Sequence, residues 1–268
     1  PAETTALTPK ETPDANGQAP SYRWNHYVVH GGGGQTAVSV NPLSPNVVYA
    51  TMDQAGIVKS TDYGDTWQTI NNNIGRTRLA DVELDPLNPD ILYVAAAPVS
   101  TSGLGELYRS LDGGAHWEYL TSTFGLERWP STRSIVIIPQ DEDRDRISDV
   151  IYLGAWAGKE GGDKGGIWQS SDEGATWQQS GCAGRDCDLF RQANVWVLRS
   201  DPSNADILYA GMYVYKDVDA PGGIWKSTDG GQEYCGKVIQ AATRQLTWST
   251  EKGDLRCIFI AGNEAFTQ

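Results

Sequence analysis

The chain has 268 residues, of which 30 are glycine and 10 are tryptophan, and its net charge is −13. An acidic chain without a basic cluster argues against a nucleic-acid partner and against an anionic membrane surface. The sequence contains no run of about 18 apolar residues, so it predicts no transmembrane segment. Abundant glycine at this length favours a single all-β domain with many short strands and tight turns.

Residues 1–20 form a separate segment, rich in proline, threonine, alanine and glutamate and without an apolar period. We expect this segment to be extended, because burial on itself cannot offset the backbone entropy lost on ordering. The expected partner is a protein subunit of a larger assembly, along which residues 1–20 would lie. The chain begins at Pro1, which is expected of a mature exported protein, periplasmic or extracellular, whose signal has been removed.

Residues 21–268 repeat one order of strands. A first strand runs into a proline turn, and a second strand follows with an aromatic residue at a fixed place. A third strand and a fourth strand flank a glycine turn. The aromatic residues are 44 to 59 residues apart; they are Tyr49, Tyr93, Tyr152, Tyr209 and Phe259. Four strands at this period predict the antiparallel blades of a β-propeller.

The glycine turn has the pattern Ser-x-Asp-x-Gly-x-(Thr/His/Glu)-(Trp/Tyr). Its carboxylate can accept backbone N–H groups of the same turn, and its glycine tolerates a positive φ. The pattern resembles the Asp-box, or BNR, repeat, and the resemblance implies a structural role for its aspartates. These are Asp62, Asp112, Asp172 and Asp229.

The number of blades is open at this stage. After four complete repeats, residues 245–261 have the pattern of the first two strands of a fifth blade. Residues 22–29 resemble an outer strand that could complete that blade and close a five-bladed ring. The alternative is that the chain is the first part of a seven-bladed propeller.

The four cysteines fall into two local pairs, Cys182 with Cys187 and Cys235 with Cys257. Neither spacing matches a four-ligand zinc site, so we predict two disulfides in an oxidising compartment. The acidic run at residues 141–146 lacks the glycine and the terminal glutamate of a calcium loop, and a solvated connection is expected there. The sequence predicts no metal and no cofactor.

The most specific candidate for chemistry is Asp53. It lies in a stretch with Tyr22-x-Trp24, then His30 and four glycines, then Tyr49-Ala-Thr-Met-Asp-Gln-Ala-Gly56. This stretch resembles the opening of family 74 glycoside hydrolases, which cleave xyloglucan with two seven-bladed propellers. The resemblance implies that Asp53 is the catalytic base and that the catalytic acid belongs to a second propeller outside these residues. The sequence departs from the family pattern at Thr51-Met52, in place of Arg-Thr, and at Ala55, in place of glycine.

Other candidates lie in connections at the same edge of the blades as Asp53. Trp129, Trp156 and Tyr213 could stack on sugar rings, and Arg128 and Arg191 are candidate binding residues. Sialidases also combine such turns with clustered arginines, but the Arg-Ile-Pro motif that opens their sequences is absent.

Three functions remain on these grounds. The first is a non-catalytic accessory subunit that docks on a larger assembly, such as a membrane or photosynthetic complex. The second is a polysaccharide-active glycoside hydrolase of the family 74 type, or a fragment of one. The third is a carbohydrate-binding lectin. We favour the first, because a lone carboxylate cannot supply both carboxyl groups that glycoside hydrolysis needs.

Overall fold

A computed structural model describes residues 34–75, 78–96, 105–120, 131–156, 165–180, 193–213 and 223–231. These residues form 15 strands and contain no helix, so none of the described segments could span a membrane as a helix. The segments at 1–20, 22–29 and 245–261 lie outside the described residues, as do all four cysteines. The predicted tail, fifth blade and disulfides therefore stay predictions.

The strands form four antiparallel sheets in chain order, which confirms the predicted propeller blades. Blade 1 contains β1 Gln35–Val40, β2 Val48–Met52, β3 Gly56–Ser60 and β4 Gln68–Thr69. Blade 2 contains β5 Leu79–Leu84, β6 Leu92–Ala96, β7 Glu106–Ser110 and β8 Glu118–Tyr119. Blade 3 contains β9 Ser131–Ile138, β10 Val150–Trp156, β11 Gly166–Ser170 and β12 Gln178–Ser180. The described part of blade 4 contains β13 Asn194–Asp201, β14 Asn204–Tyr213 and β15 Gly223–Ser227.

The core lies between consecutive blades, whose first strands β1, β5, β9 and β13 lie side by side. All five residues of β6 are buried, because blade 2 is covered on both faces. Val38 in β1 and Ile224 in β15 are instead 57% and 41% exposed. Blades 1 and 4 end the described stack, so within the described ranges no further sheet covers their outer faces.

The aromatic residue of the second strand joins each blade to the next one. The hydroxyl of Tyr49 donates to the carbonyl of Gly113 at 3.2 Å, in the glycine turn of blade 2. Tyr93 donates in the same way to Glu173 and Tyr152 donates to Gly230, at 3.3 and 2.6 Å. Burial raises the pKa of Tyr49 and of Tyr152 to about 12, so both hydroxyls remain donors at ordinary pH.

The glycine turns share one pattern of hydrogen bonds, shown here for blade 3. The Ser170 hydroxyl donates to Asp172 Oδ1 at 2.7 Å and accepts the N–H of Gly174 at 2.8 Å. Asp172 accepts the N–H of Thr176 on Oδ1 and the hydroxyl of Thr176 on Oδ2, at 2.7 and 2.6 Å. Gly174 has a φ of +90°. The pattern recurs at Asp62 and Asp112, and the serine bonds recur at Asp229.

We expect Asp172→Asn to lower the free energy of unfolding by about 1–2 kcal/mol, because an amide replaces a carboxylate that accepts charged hydrogen bonds. Asp65→Asn, at an exposed carboxylate of the blade 1 turn, is the control and should change stability little. Urea denaturation of both variants measures the difference. Equal stabilities of the two variants would show that the turn carboxylate does not hold the turn.

Candidate functional site

The site edge is defined here as the edge at which the first strands begin and the second strands end. At this edge every first strand has a β-bulge, in which one residue drops out of register with the second strand. The bulged residues are Thr36, Ala80, Arg133 and Trp196. Bulges turn side chains away from the regular alternation and are common next to active sites.

Asp53 directly follows β2 at the site edge. Its backbone N–H donates to the carbonyl of Gly34 at 2.9 Å, just before β1, which fixes the strand end. Its side chain is 36% exposed, and Oδ1 accepts a hydrogen bond from Arg78 Nε at 2.7 Å. Arg78 directly precedes β5, so this ion pair joins blade 1 to blade 2. The exposed carboxylate is thus held in one position while it remains open to solvent.

Arg133 packs against two tryptophans at the site edge. Its guanidinium carbon lies 4.6 Å from the ring centre of Trp156 and 5.6 Å from that of Trp196. The two rings meet edge to face, with centres 6.0 Å apart. Cation–π contacts with two tryptophans fix the plane of the guanidinium.

The charges of Asp53, Arg78 and Arg133 act on one another. The pKa of Arg133 lies below its ordinary value because burial disfavours the charged form and the positive charge of Arg78 repels it. The carboxylate of Asp53 opposes this effect. The three groups therefore form one electrostatic cluster, which extends from blade 1 to blade 3.

The predicted site residues are only partly described. Asp53, Trp156 and Tyr213 occupy equivalent places, each four residues after the aromatic residue of its blade. Arg128, Trp129 and Arg191 lie outside the described residues. The pairing of Arg78 with Asp53 and the exposure of Trp196 were not predicted from the sequence. Trp196 lies at the bulge of β13 and is 57% exposed.

The opposite edge carries the four turn aspartates and the acidic loop between β9 and β10. The carboxylate oxygens of Asp141, Asp143 and Asp145 lie within 4.8 Å of one another, on exposed or half-buried side chains. Asp141 accepts the backbone N–H groups of Asp145 and Arg146 at 3.1 and 3.0 Å. These carboxylates order their own loop, away from Asp53.

A buried carboxyl lies in β5, close behind the site edge. Burial raises the pKa of Asp81 to about 6, a shift that would suit a catalytic acid. However, Asp81 Oδ1 accepts the N–H of Val82 and Oδ2 accepts the N–H of Ile135, at 3.0 and 2.9 Å. Asp81 therefore joins blade 2 to blade 3 and does not present a free carboxyl to a substrate.

The fold and the site edge together define a class of protein, a β-propeller with an exposed, ion-paired carboxylate at the end of a second strand. No protein-family model matches the sequence. A xyloglucanase from a Paenibacillus species is 27% identical over 247 residues, which cover 82% of this chain and 23% of that enzyme. Xyloglucanase Xgh74A of Acetivibrio thermocellus is 26% identical over 238 residues, which cover 78% of this chain and 26% of that enzyme.

Solved structures agree with these relatives. The crystal structure of an ancestral GH74 enzyme has a TM-score of 0.55 and 25% identity, over 76% of this chain and 24% of that one. The protein is therefore similar to GH74 xyloglucanases in sequence and fold. It spans about a quarter of the length of the curated relatives it matches.

These similarities correct the function that the sequence analysis favoured. The non-catalytic accessory subunit is contradicted, because the matched relatives are polysaccharide-cleaving enzymes. The hydrolase alternative agrees better with them. The accessory function was favoured because Asp53 has no second carboxyl group beside it in the sequence. The glycine turns and the composition of residues 1–20 do not bear on the chemistry at the site edge.

Proposed function

We propose that this chain is the base-bearing part of a polysaccharide-active glycoside hydrolase of the xyloglucanase type. Asp53 is the catalytic base, and the substrate is a polysaccharide with a β-linked glucan backbone. The glycine turns are Asp-box repeats that hold the blades, and the enzyme is exported to where its substrate lies.

The observation that carries this proposal is the Asp53–Arg78 ion pair at the site edge. A general base must be ionised, exposed to the reacting water and held in a fixed direction. Asp53 has an exposed carboxylate, a cation at 2.7 Å and a strand end fixed by the Gly34 carbonyl. Its position also lies within the stretch that resembles the opening of family 74 enzymes.

The proposed reaction step is the activation of a water molecule by the Asp53 carboxylate. Asp53 takes a proton from a water molecule as that water attacks the anomeric carbon of the sugar. Oδ2 is the oxygen suited to this task, because Oδ1 accepts the bond from Arg78 and no bond to Oδ2 comes from the described residues. A second carboxyl group must protonate the leaving oxygen. We assign that group to a part of the enzyme beyond the residues described.

The aromatic side chains at the site edge support a sugar ligand. Trp196 is 57% exposed although Arg133 and Trp156 both contact its ring, so part of the ring surface remains open to a ligand. Sugar rings pack their C–H faces on such exposed aromatic surfaces.

Affinity electrophoresis of the purified chain tests the proposal. Xyloglucan cast into a native gel should retard the chain, whereas soluble starch, an α-linked glucan, should not. Release of reducing ends from xyloglucan is measured in parallel. A chain that neither binds β-linked glucans nor releases reducing ends from them would contradict the proposed function.

A further inference from the structure

The Arg133 site is defined as Arg133 with the two tryptophans it contacts, Trp156 and Trp196, and the residues that begin β9 and β13 at the same edge, Ser131 and Asn194. We infer that this site binds a carboxylate-bearing sugar, such as a uronic acid residue, next to the base. The inference rests on the proposed polysaccharide-active function and adds the charge of the substrate to it.

The first observation is the hydrogen bonding of Arg133. Its Nε is buried, and within the described part of the chain it has no hydrogen-bond partner. A buried guanidinium N–H without an acceptor is costly, and arginine is best satisfied by the paired oxygens of a carboxylate. Since the two tryptophans fix the guanidinium plane, a ligand carboxylate would meet donors that are already oriented.

The second observation is independent of charge. The side chain of Asn194 is only 2% exposed, and neither its oxygen nor its nitrogen has a hydrogen-bond partner among the described residues. The hydroxyl of Ser131 is also buried and also has no hydrogen-bond partner among the described residues. Asn194 and Ser131 begin β13 and β9, so they occupy equivalent places at the site edge. A sugar with hydroxyl groups could pair with both of these polar groups.

The third observation is the local charge. The described cluster of Asp53, Arg78 and Arg133 holds two cations and one carboxylate, whereas the whole chain has a net charge of −13. A positive group on an otherwise acidic protein attracts an anion to this one place. A neutral glucan would leave the extra charge of Arg133 without a counterion.

A matched pair of probes tests this inference. Cellotetraose is neutral, and its C6-oxidised form, tetra-cellouronate, differs only in having carboxylates in place of the primary alcohols. Titration of the full chain is followed by the fluorescence of its tryptophans and by calorimetry. We expect tetra-cellouronate to bind at least about tenfold more tightly at low salt. One hydrogen bond to a charged group contributes about as much binding free energy as a tenfold change in affinity. The difference should shrink as salt is added.

Variants assign the effect to Arg133. Arg133→Met should abolish the preference for the uronate, and Arg133→Lys should retain part of it, because lysine keeps the charge but not the planar pair of donors. Arg144→Met removes the same charge from the opposite edge and should leave the preference unchanged. Near-ultraviolet circular dichroism checks that each variant is folded. If Arg133→Met does not fold, the test is whether Arg133→Lys shows a smaller preference for the uronate than the unmodified chain.

The outcomes separate this inference from the proposed function. Equal or tighter binding of cellotetraose overturns the inference, as does a preference that survives in Arg133→Met or is lost in Arg144→Met. Absence of binding by both probes overturns it as well. Uronate binding that depends on Arg133, in a chain that neither binds nor cleaves xyloglucan, would support the inference and contradict the xyloglucanase-type function.

Discussion

Replacement of Asp53 by asparagine is expected to lower the rate of xyloglucan hydrolysis by about 10²- to 10⁴-fold, the usual contribution of a general base. Asparagine has nearly the same shape, but its amide cannot take a proton from water. It also cannot form the ion pair that Arg78 makes with Oδ1 at 2.7 Å. The measurement is the initial rate at which reducing ends are released from xyloglucan. It is made on an enzyme that contains this chain and the part that carries the second carboxyl group. We expect kcat to fall far more than KM rises.

Asp90→Asn is the control for this prediction. Asp90 is exposed and lies between β5 and β6, on the edge opposite to Asp53, so its replacement removes the same charge from a remote place. We expect the control to retain the rate of the unmodified enzyme. A normal rate in Asp53→Asn would show that another group is the base.

The second large effect concerns Asp85, a fully buried carboxylate between blades 2 and 3. Its Oδ1 accepts the N–H of Leu87 and the hydroxyl of Ser148, each at 2.8 Å, and its Oδ2 accepts the N–H of Ser148 at 2.7 Å. Asp85→Ala leaves both Ser148 donors buried without an acceptor and removes the acceptor of the partly buried Leu87 N–H. We therefore expect the free energy of unfolding to fall by about 3–5 kcal/mol. Urea denaturation followed by tryptophan fluorescence measures the change.

Asp201 provides the matched comparison for Asp85. Both residues precede a proline at the end of a first strand. The carboxylate of Asp201 accepts bonds from the N–H and the hydroxyl of Ser203, within its own exposed turn. Asp201→Ala should therefore cost about 1 kcal/mol or less. If both variants lost the same stability, the bonds from Asp85 to blade 3 would contribute no more to the free energy of unfolding than the bonds within the Asp201 turn.

The glycine turns show what could be predicted from the sequence. Ser170, Asp172 and Thr176 lie within seven residues of one another, and the hydrogen bonds of their side chains stay inside that turn. Such short-range geometry depends on the local backbone and on a glycine at positive φ, both of which are visible in the sequence. The repeat of this turn, together with the repeated order of strands, predicted the blades.

The tyrosines at the fixed place of the second strand show where the prediction stopped. Their spacing gave the repeat, but the acceptors of the Tyr49, Tyr93 and Tyr152 hydroxyls lie in the next blade, 64 residues away for Tyr49. These bonds could not be predicted from the sequence, because the position of the next blade follows from how the sheets pack.

The Asp53 site also has one part that could be predicted from the sequence and one part that could not. Asp53 itself was found from the motif around it, which is continuous in sequence. Arg78 is 25 residues away from Asp53, and Arg133 and Trp196 are further still along the chain. Whether Trp196 is exposed depends on a bulge, and a bulge is a property of the register between two strands. The sequence thus determined the blades and singled out Asp53, because these signals are local, whereas the ion pair and the Arg133 site required the packing of four blades against one another.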